Sequence, residues 1–377
     1  MTANKAKQTL NVAMIGQGFM GRAHSNAFHQ VTRFFDTPYD LRLKVICGRN
    51  RESLDAMAKR WGWEETSTDW EAVVARKDID VIDVATPNLL HAPIAIAAAK
   101  AGKIVLCEKP LAMSVDEAER MAMAARNVPN LVWFNYRRVP AVALAKRLVD
   151  EGRLGNVYHY RAVYLQSWGA DPARKGVWRF NRAEAGSGAI GDLLTHTLDL
   201  ALLLNGEIEE LSAMIQTFAP GREVDDAVLL LARFANGSIG SFEATRFAIG
   251  CKNRNAFEIN GSKGMLRFNL EDLNRLEFFD ATDPTHIQGE HEVLVTGPGH
   301  PYVDRYWPPG HIIGYEHTFI SSLADFLDAL AKKETFHPNF DDAVRVQRLV
   351  EAVERSAKNG EWVRVEKTAP GKHKAAS

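Results

Sequence analysis

Residues 11–15, NVAMI, form a short apolar run that passes directly into Gly16, Gly18 and Gly21, and the chain beyond can stay helical to about Gln30. Strand, glycine turn and helix in that order constrain the fold more than any other feature of the chain. Without side chains at the turn, backbone N–H groups and the helix N-terminus can close on an anion. A GxGxxG string by itself says little, since 27 of the 377 residues are glycine and turns collect them. The strand before it and the helix after it make Gly16, Gln17, Gly18, Phe19, Met20 and Gly21 a candidate cradle for the pyrophosphate of a dinucleotide. A plain structural turn is the competing reading.

The same grammar repeats downstream. Apolar runs at Leu41–Cys47, Val81–Ala85, Ile104–Cys107 and Leu131–Asn135 alternate with helical patterns at Arg51–Trp61, Ile94–Ala101 and Val115–Arg126, which predicts a doubly wound parallel sheet of the Rossmann type. Beyond about Arg137 the pattern changes. Asn156–Gln166 alternates, with Tyr158, Tyr160, Ala162 and Tyr164 on one face, and Asp226–Phe234 is joined to Ser238–Phe247 through Asn236-Gly237, a pair suited to a type I′ hairpin. A second hairpin is expected from Ala256–Asn260 and Met265–Leu270, with short strands at Glu277–Phe279 and Val293–Val295 and helices at Ala189–Leu204, Tyr315–Ala331 and Asp341–Ala357. The fold class is therefore α/β, an N-terminal Rossmann sheet followed by an α+β domain with a mainly antiparallel sheet. Since single cores stop growing near roughly 250 to 300 residues, the 377-residue chain divides into 1–136, 137–366 and a polar tail, 367–377, expected to be disordered.

Charge excludes some partners. Lys and Arg total 46 against 47 Asp and Glu, a net charge of −1, so no bulk field draws nucleic acid or an anionic membrane surface. The longest apolar patches are interrupted by Asp83, Lys100 or Asp199 and fall short of a membrane span. The opening MTANKAKQTL lacks the apolar block of a secretory signal, so a soluble, cytoplasmic chain is expected. Cys47, Cys107 and Cys251 form no CxxC pair; buried free thiols are expected, with no disulfide framework and no metal.

Selectivity between NAD and NADP is read at the end of the second strand, where a carboxylate would hold the ribose hydroxyls. Here stands Cys47-Gly48-Arg49-Asn50, with no acid. Arg49 could pair with a 2′-phosphate, lie over the adenine or remain a solvated loop residue, and Asn50 can hydrogen-bond a ribose. NAD is the expected cofactor, with NADP permitted.

At the ends of the fourth and fifth strands stand Thr86-Pro87-Asn88 with His91, and Glu108-Lys109-Pro110, where an open parallel sheet presents its ligand crevice. With the glycine turn, and with Gly191-Asp192-Leu193-Leu194-Thr195-His196 further on, the chain resembles the glucose–fructose oxidoreductase, inositol dehydrogenase and rhizopine-catabolism (Gfo/Idh/MocA) family, including its levoglucosan dehydrogenase-like members. The resemblance covers residues 11 to about 365 and implies an NAD(P)-dependent oxidoreductase acting on sugars, glycosides or cyclitols. It places Thr86, Asn88, His91, Glu108 and Lys109 on the cofactor, matches the family's catalytic lysine to Lys109, and matches its Asp-x3-His pair to Asp192 and His196. It also implies a homodimer or homotetramer. The missing acid after the second strand and an insertion around Phe34–Asp40 depart from the pattern.

Oxidation of a secondary alcohol needs a base at the hydroxyl while the cofactor takes the hydride. Asp192 and His196 lie on one face of the expected helix, where the carboxylate can orient substrate or hold the imidazole's second nitrogen, and Lys109 can donate to the alkoxide or relay its proton. A loop lysine and a helix-surface ion pair are the competing readings. Gln166-Ser167-Trp168 and Trp178-Arg179-Phe180-Asn181-Arg182 bring aromatics and guanidinium groups to a loop before that helix, and Gln166, Trp178 and Arg179 are expected at the substrate, although Trp178 and Arg179 could anchor the loop instead. Arg137 and His317 are further substrate candidates; a capped helix start explains His317 equally well. His24 reads as packing or a contact near the phosphates. The broad apolar face expected of the antiparallel sheet needs a cover, for which a second copy is the simplest source.

The leading reading is a dehydrogenase acting on a secondary hydroxyl, C3 of a pyranose among them. An NAD-dependent glycoside hydrolase working through transient C3 oxidation uses the same parts, and Lys175, Arg179 and Arg182 would suit a uronate or sulfonated glycoside. A non-catalytic nucleotide-binding regulator would have no chemical need for Lys109, Asp192 and His196 together.

Overall fold

The computed structural model describes residues 7–366 apart from 172, 175 and 176, so the expectations for Lys175 and for the 367–377 tail lie outside the described residues. The chain begins with β1 (Gln8–Ile15), α1 (Phe19–Phe34), β2 (Tyr39–Cys47), α2 (Arg51–Trp61), β3 (Glu65–Ser67), α3 (Trp70–Val74), β4 (Val81–Val84), α4 (His91–Lys100), β5 (Ile104–Cys107), α5 (Val115–Ala125) and β6 (Asn130–Val132). These strands form one parallel sheet in the order β3-β2-β1-β4-β5-β6, so the strand order reverses beside β1, which is where such sheets open a ligand crevice. Its central strands are apolar on both faces, as β4 shows with all of Val81, Ile82, Asp83 and Val84 buried. Asp83 is the exception that needs partners.

There follow α6 (Pro140–Asp150), β7 (Val157–Leu165), α7 (Arg182–Ala185), α8 (Thr195–Asn205), β8 (Ile208–Gln216), β9 (Ala227–Phe234), β10 (Ile239–Thr245), β11 (Arg254–Gly261), β12 (Gly264–Asn269), β13 (Arg275–Asp280), β14 (Glu290–Leu294), α9 (Tyr315–Lys332), α10 (Phe340–Asn359) and β15 (Val363–Arg364). The second sheet has nine strands in the order β14-β13-β12-β11-β7-β10-β9-β8-β15, antiparallel except for the β7–β10 pair. Helices α6, α8 and α10 lie against it, while α9 returns to pack on α1 beside the parallel sheet, where Phe319, Ile320 and Leu323 join Val12, Met14 and Phe28 in one apolar cluster.

Several local expectations change. Tyr160, Ala162 and Tyr164 are buried, but Tyr158, at the strand end, is exposed. Gly237 has φ +86°, whereas Asn236 does not take a positive φ. With the Phe234 N–H donating to the Ser238 carbonyl at 2.9 Å and the Gly237 N–H to Phe234 at 3.0 Å, residues 235–237 form a longer loop closed by a glycine bulge, not a type I′ turn. The helix expected from Ala189 opens as a π turn over Ile190–Leu194 before α8 begins. Cys47 and Cys107 are buried; Cys251 is partly exposed. The second sheet's apolar face is already covered by α6, α8 and α10, which removes the argument that a second copy must cover it. No helix among the described residues is long and apolar enough to cross a membrane.

Candidate active site

A cleft of about 880 Å³ runs from the glycine turn, past the ends of β4 and β5, to the π turn and the β10–β11 loop of the second sheet. At one end Gly16 takes φ +127°, and a side chain there would collide with the Ala85 carbonyl. A Cβ at Gly18 would meet nothing within 4 Å, so the space before the turn is open. The first turn of α1 carries no acidic residue and its N-cap, Gly18, has no side chain to accept from the first amides, which leaves them for an anion. Two buried oxygens at the cleft, Gln17 Oε1 and Thr86 Oγ1, have no hydrogen-bond partner among the described residues. An open glycine cradle with unpaired polar atoms beside it fits a dinucleotide. Gln17, Phe19, Met20, Arg49, Asn88 and Glu108 line the same cleft. Arg49 is exposed, and Asn50 Oδ1 accepts from the Ser53 amide at 2.9 Å to cap α2.

Two of the expected cofactor residues act from behind this surface. Gly21 is packed against the Gly16 carbonyl, which leaves no room for a side chain there. His91 is fully buried, its ring nitrogens 2.9 Å from the Pro110 carbonyl and 3.0 Å from the Thr86 carbonyl, so it ties the β4 and β5 loops together and does not line the cleft. Burial holds its pKa below the ordinary value.

Lys109 projects from the end of β5 into the middle of the cleft. Its ammonium donates to the Asp192 carbonyl at 2.7 Å and to Asp192 Oδ1 at 3.3 Å. The π turn that carries Asp192 is anchored by Asp225, whose carboxylate accepts from the Gly188 amide at 2.5 Å and the Ile190 amide at 2.8 Å. A side chain at Gly188 would collide with the Asp225 backbone, so glycine is required for that approach. Asp192 meets two further cations, Arg246 at 3.0 Å and Arg179 at 3.8 Å. Burial alone would raise its pKa; the charges of Lys109, Arg246 and Arg179 instead hold it far below the ordinary carboxylate range.

His196 sits one turn on, buried, with the Tyr136 ring centroid 4.5 Å away. Desolvation and the nearby Lys109 charge push its pKa well below the ordinary value despite Asp192, so the imidazole is neutral and keeps an unprotonated ring nitrogen. The Asp192 carboxylate therefore serves Lys109 and the arginines; among the described residues it makes no hydrogen bond to His196. Gln166, Trp178 and Arg179 line this end, as does Tyr164, whose hydroxyl donates to Asn253 Oδ1 at 2.9 Å.

Two substrate candidates lie elsewhere. Arg137 is buried in a bidentate pair with Asp199, at 2.9 and 2.6 Å, away from the cleft lining. His317 accepts the Gly314 amide at 3.1 Å and closes the first turn of α9, so the capping explanation holds. Conversely, sequence reasoning passed over Arg246, which is 1% exposed and bonded to both Asp192 and the Gly188 carbonyl. Its only signal was a basic residue at the end of an alternating strand.

The comparisons agree with this geometry. Residues 10–136 match the oxidoreductase family with an NAD-binding Rossmann fold, and residues 142–267 match the GFO/IDH/MocA C-terminal domain. Levoglucosan dehydrogenase of Pseudarthrobacter phenanthrenivorans is 42% identical over 95% of this chain and 98% of its own, and inositol 2-dehydrogenase of Rhizobium meliloti is 26% identical over 92% and 97%. Among solved structures, levoglucosan dehydrogenase in complex with NADH and levoglucosan superposes with a TM-score of 0.93 at 43% identity, over 96% of this chain and 100% of that one. An oxidoreductase domain protein from Kribbella flavida superposes with the same score at 47% identity, over the same shares. The chain belongs to the GFO/IDH/MocA family and is an NAD-dependent oxidoreductase.

Proposed function

We propose that the protein oxidises a secondary hydroxyl of a sugar, glycoside or cyclitol, C3 of a pyranose being the carbon we assign, with Lys109 and His196 handling the proton. The observation that carries this reading is the Lys109–Asp192 pair beside the neutral His196, in one cleft with the glycine cradle. NAD, when bound, accepts the hydride. Asp192 holds the Lys109 ammonium in place, and Lys109 donates a hydrogen bond to the hydroxyl as negative charge develops on it. His196 takes the proton. Arg246 and Arg179 add positive charge behind Asp192, so the cluster of three cations and one carboxylate lowers the cost of an alkoxide. Trp178 and Gln166 supply a ring face and an amide for a polyol, and the similarity to levoglucosan dehydrogenase supports that substrate class.

We read residues 137–366 as the substrate-binding domain, with α9 reaching back to the parallel sheet, and a homodimer or homotetramer as its assembly. Met214, Leu229, Leu231 and Ile239 on the outer face of the second sheet are exposed and offer an apolar patch to a second copy.

The experiment is turnover of the purified protein with NAD or NADP on levoglucosan, inositol and aryl glycosides, reading reduced-cofactor absorbance and aglycone release together. Reduced cofactor accumulating with a sugar or cyclitol supports the dehydrogenase. Aglycone release that needs NAD yet leaves no net NADH would replace it with a redox-neutral glycoside hydrolase.

A further inference from the structure

Beneath the cleft lies a cluster of titratable groups that the proposed chemistry does not use. His24, on α1, is fully buried, with Nδ1 2.8 Å from Asp83 Oδ2 and Nε2 3.0 Å from Glu108 Oε1. The remaining oxygens are occupied as acceptors: Asp83 Oδ1 takes the Trp133 indole N–H at 2.9 Å, and Glu108 Oε2 takes the Lys109 amide at 3.0 Å. Trp133 and Phe319 pack against the imidazole and bring no charge.

The hydrogen bonds fix the charge of this triad. An ionised carboxylate only accepts, so each of the two nitrogen–oxygen contacts needs its own proton. Two protons shared between one imidazole and two carboxyl groups leave a net charge of −1, wherever the second proton resides. The raised pKa of His24, about 9 in spite of burial, agrees with an imidazolium between two carboxylates.

Its position gives that charge a use. The glycine turn and Arg49 take the pyrophosphate and adenosine end of the cleft, which leaves the end at Lys109 and His196 for the nicotinamide. Glu108 lines the cleft directly before Lys109, whereas Asp83 is fully buried and lines no part of it. The oxidised nicotinamide ring is a cation and the reduced ring is neutral. The facing wall, with Lys109, Arg246 and Arg179 around a single Asp192, would by itself disfavour that cation.

We propose that the Asp83–His24–Glu108 triad is a redox-state selector, its buried negative charge favouring the oxidised dinucleotide over the reduced one at this site. The inference rests on the use of NAD by this chain and extends it to which form is held more tightly. Asp83→Asn together with Glu108→Gln leaves His24 with one proton and no carboxylate partner, so the triad becomes neutral, whereas either substitution alone lets His24 give up a proton and keeps the charge at −1. Dissociation constants for NAD+ and NADH, read by tryptophan fluorescence near neutral pH, are expected to show NAD+ binding weakened about tenfold and NADH changed less than about twofold. If that double variant does not fold, Asp83→Ser with Glu108→Gln removes the same charge and carries the test with the same direction of change in the ratio. Equal weakening of both nucleotides, the mark of a merely structural role, or an unchanged ratio would overturn the proposal. Wild-type protein that binds neither nucleotide would overturn the NAD reading along with it.

Discussion

His24 and His196 are both buried in the walls of one cleft, yet their charges differ. His24 is wedged between two carboxylates, which outweigh the cost of desolvation and raise its pKa to about 9. His196 is buried to a similar degree, but its nearest charged neighbours are the Lys109 cation and an Asp192 already engaged with three cations, so its pKa falls well below the ordinary value. Burial sets how strongly neighbours act, and the neighbours decide the sign. The result is a wall of net negative charge under the nucleotide side of the cleft and a wall of net positive charge on the substrate side. An alcohol that loses a proton and a hydride needs that division: an anion developing on oxygen, and a cation on the ring that takes the hydride.

The comparison breaks most completely at Lys109. Lys109→Met removes the cation that both anchors Asp192 and depresses His196, and kcat is expected to fall about a thousandfold while NAD+ is bound as tightly as by the wild type or more so; steady-state kinetics with nucleotide titration checks both. A loss of nucleotide binding as large as the loss of turnover would instead place Lys109 in the cofactor site alone. Arg246→Met takes one charge from the positive wall and leaves Lys109 in place. It is expected to lower kcat/KM about tenfold.

How much of this was legible in sequence follows from how local each feature is. The parallel sheet was readable because each strand–turn–helix unit declares itself within one stretch; Arg51–Trp61 and Ile104–Cys107 have the bounds expected of them. β8, with Glu209, Glu210 and Ser212 interleaved, lacks the apolar density of a recognisable strand and was passed over. Lys109, Asp192 and His196 carried motif signals and converge in space. Arg246 carries none, because its contact with Asp192 exists only after β10 and the π turn are brought together by the fold. That Arg137 lies away from the cleft lining was not legible for a related reason: nothing near it in sequence announces Asp199 as its partner.

His317 tests the quieter end of the comparison, a histidine that closes a helix and stands outside both walls. His317→Ala is expected to cost about 1 kcal/mol in urea unfolding, as other lost caps do, with turnover within about twofold of wild type.

The charge division itself is measured most directly by NMR titration of the histidine rings, with His24→Gln and His196→Gln supplying the assignments. For His24 the folded pKa lies above the unfolded one, so its stabilising contribution is complete below the ordinary value near 6.5 and is lost as pH rises through about 9. For His196 the folded pKa lies below, so the ring stays neutral as pH falls through 6.5 and stability declines there as the unfolded chain takes up the proton. The His24 ring is expected to keep its extra proton across the neutral range and the His196 ring to carry none. Two rings titrating together near 6.5 would contradict the charge division.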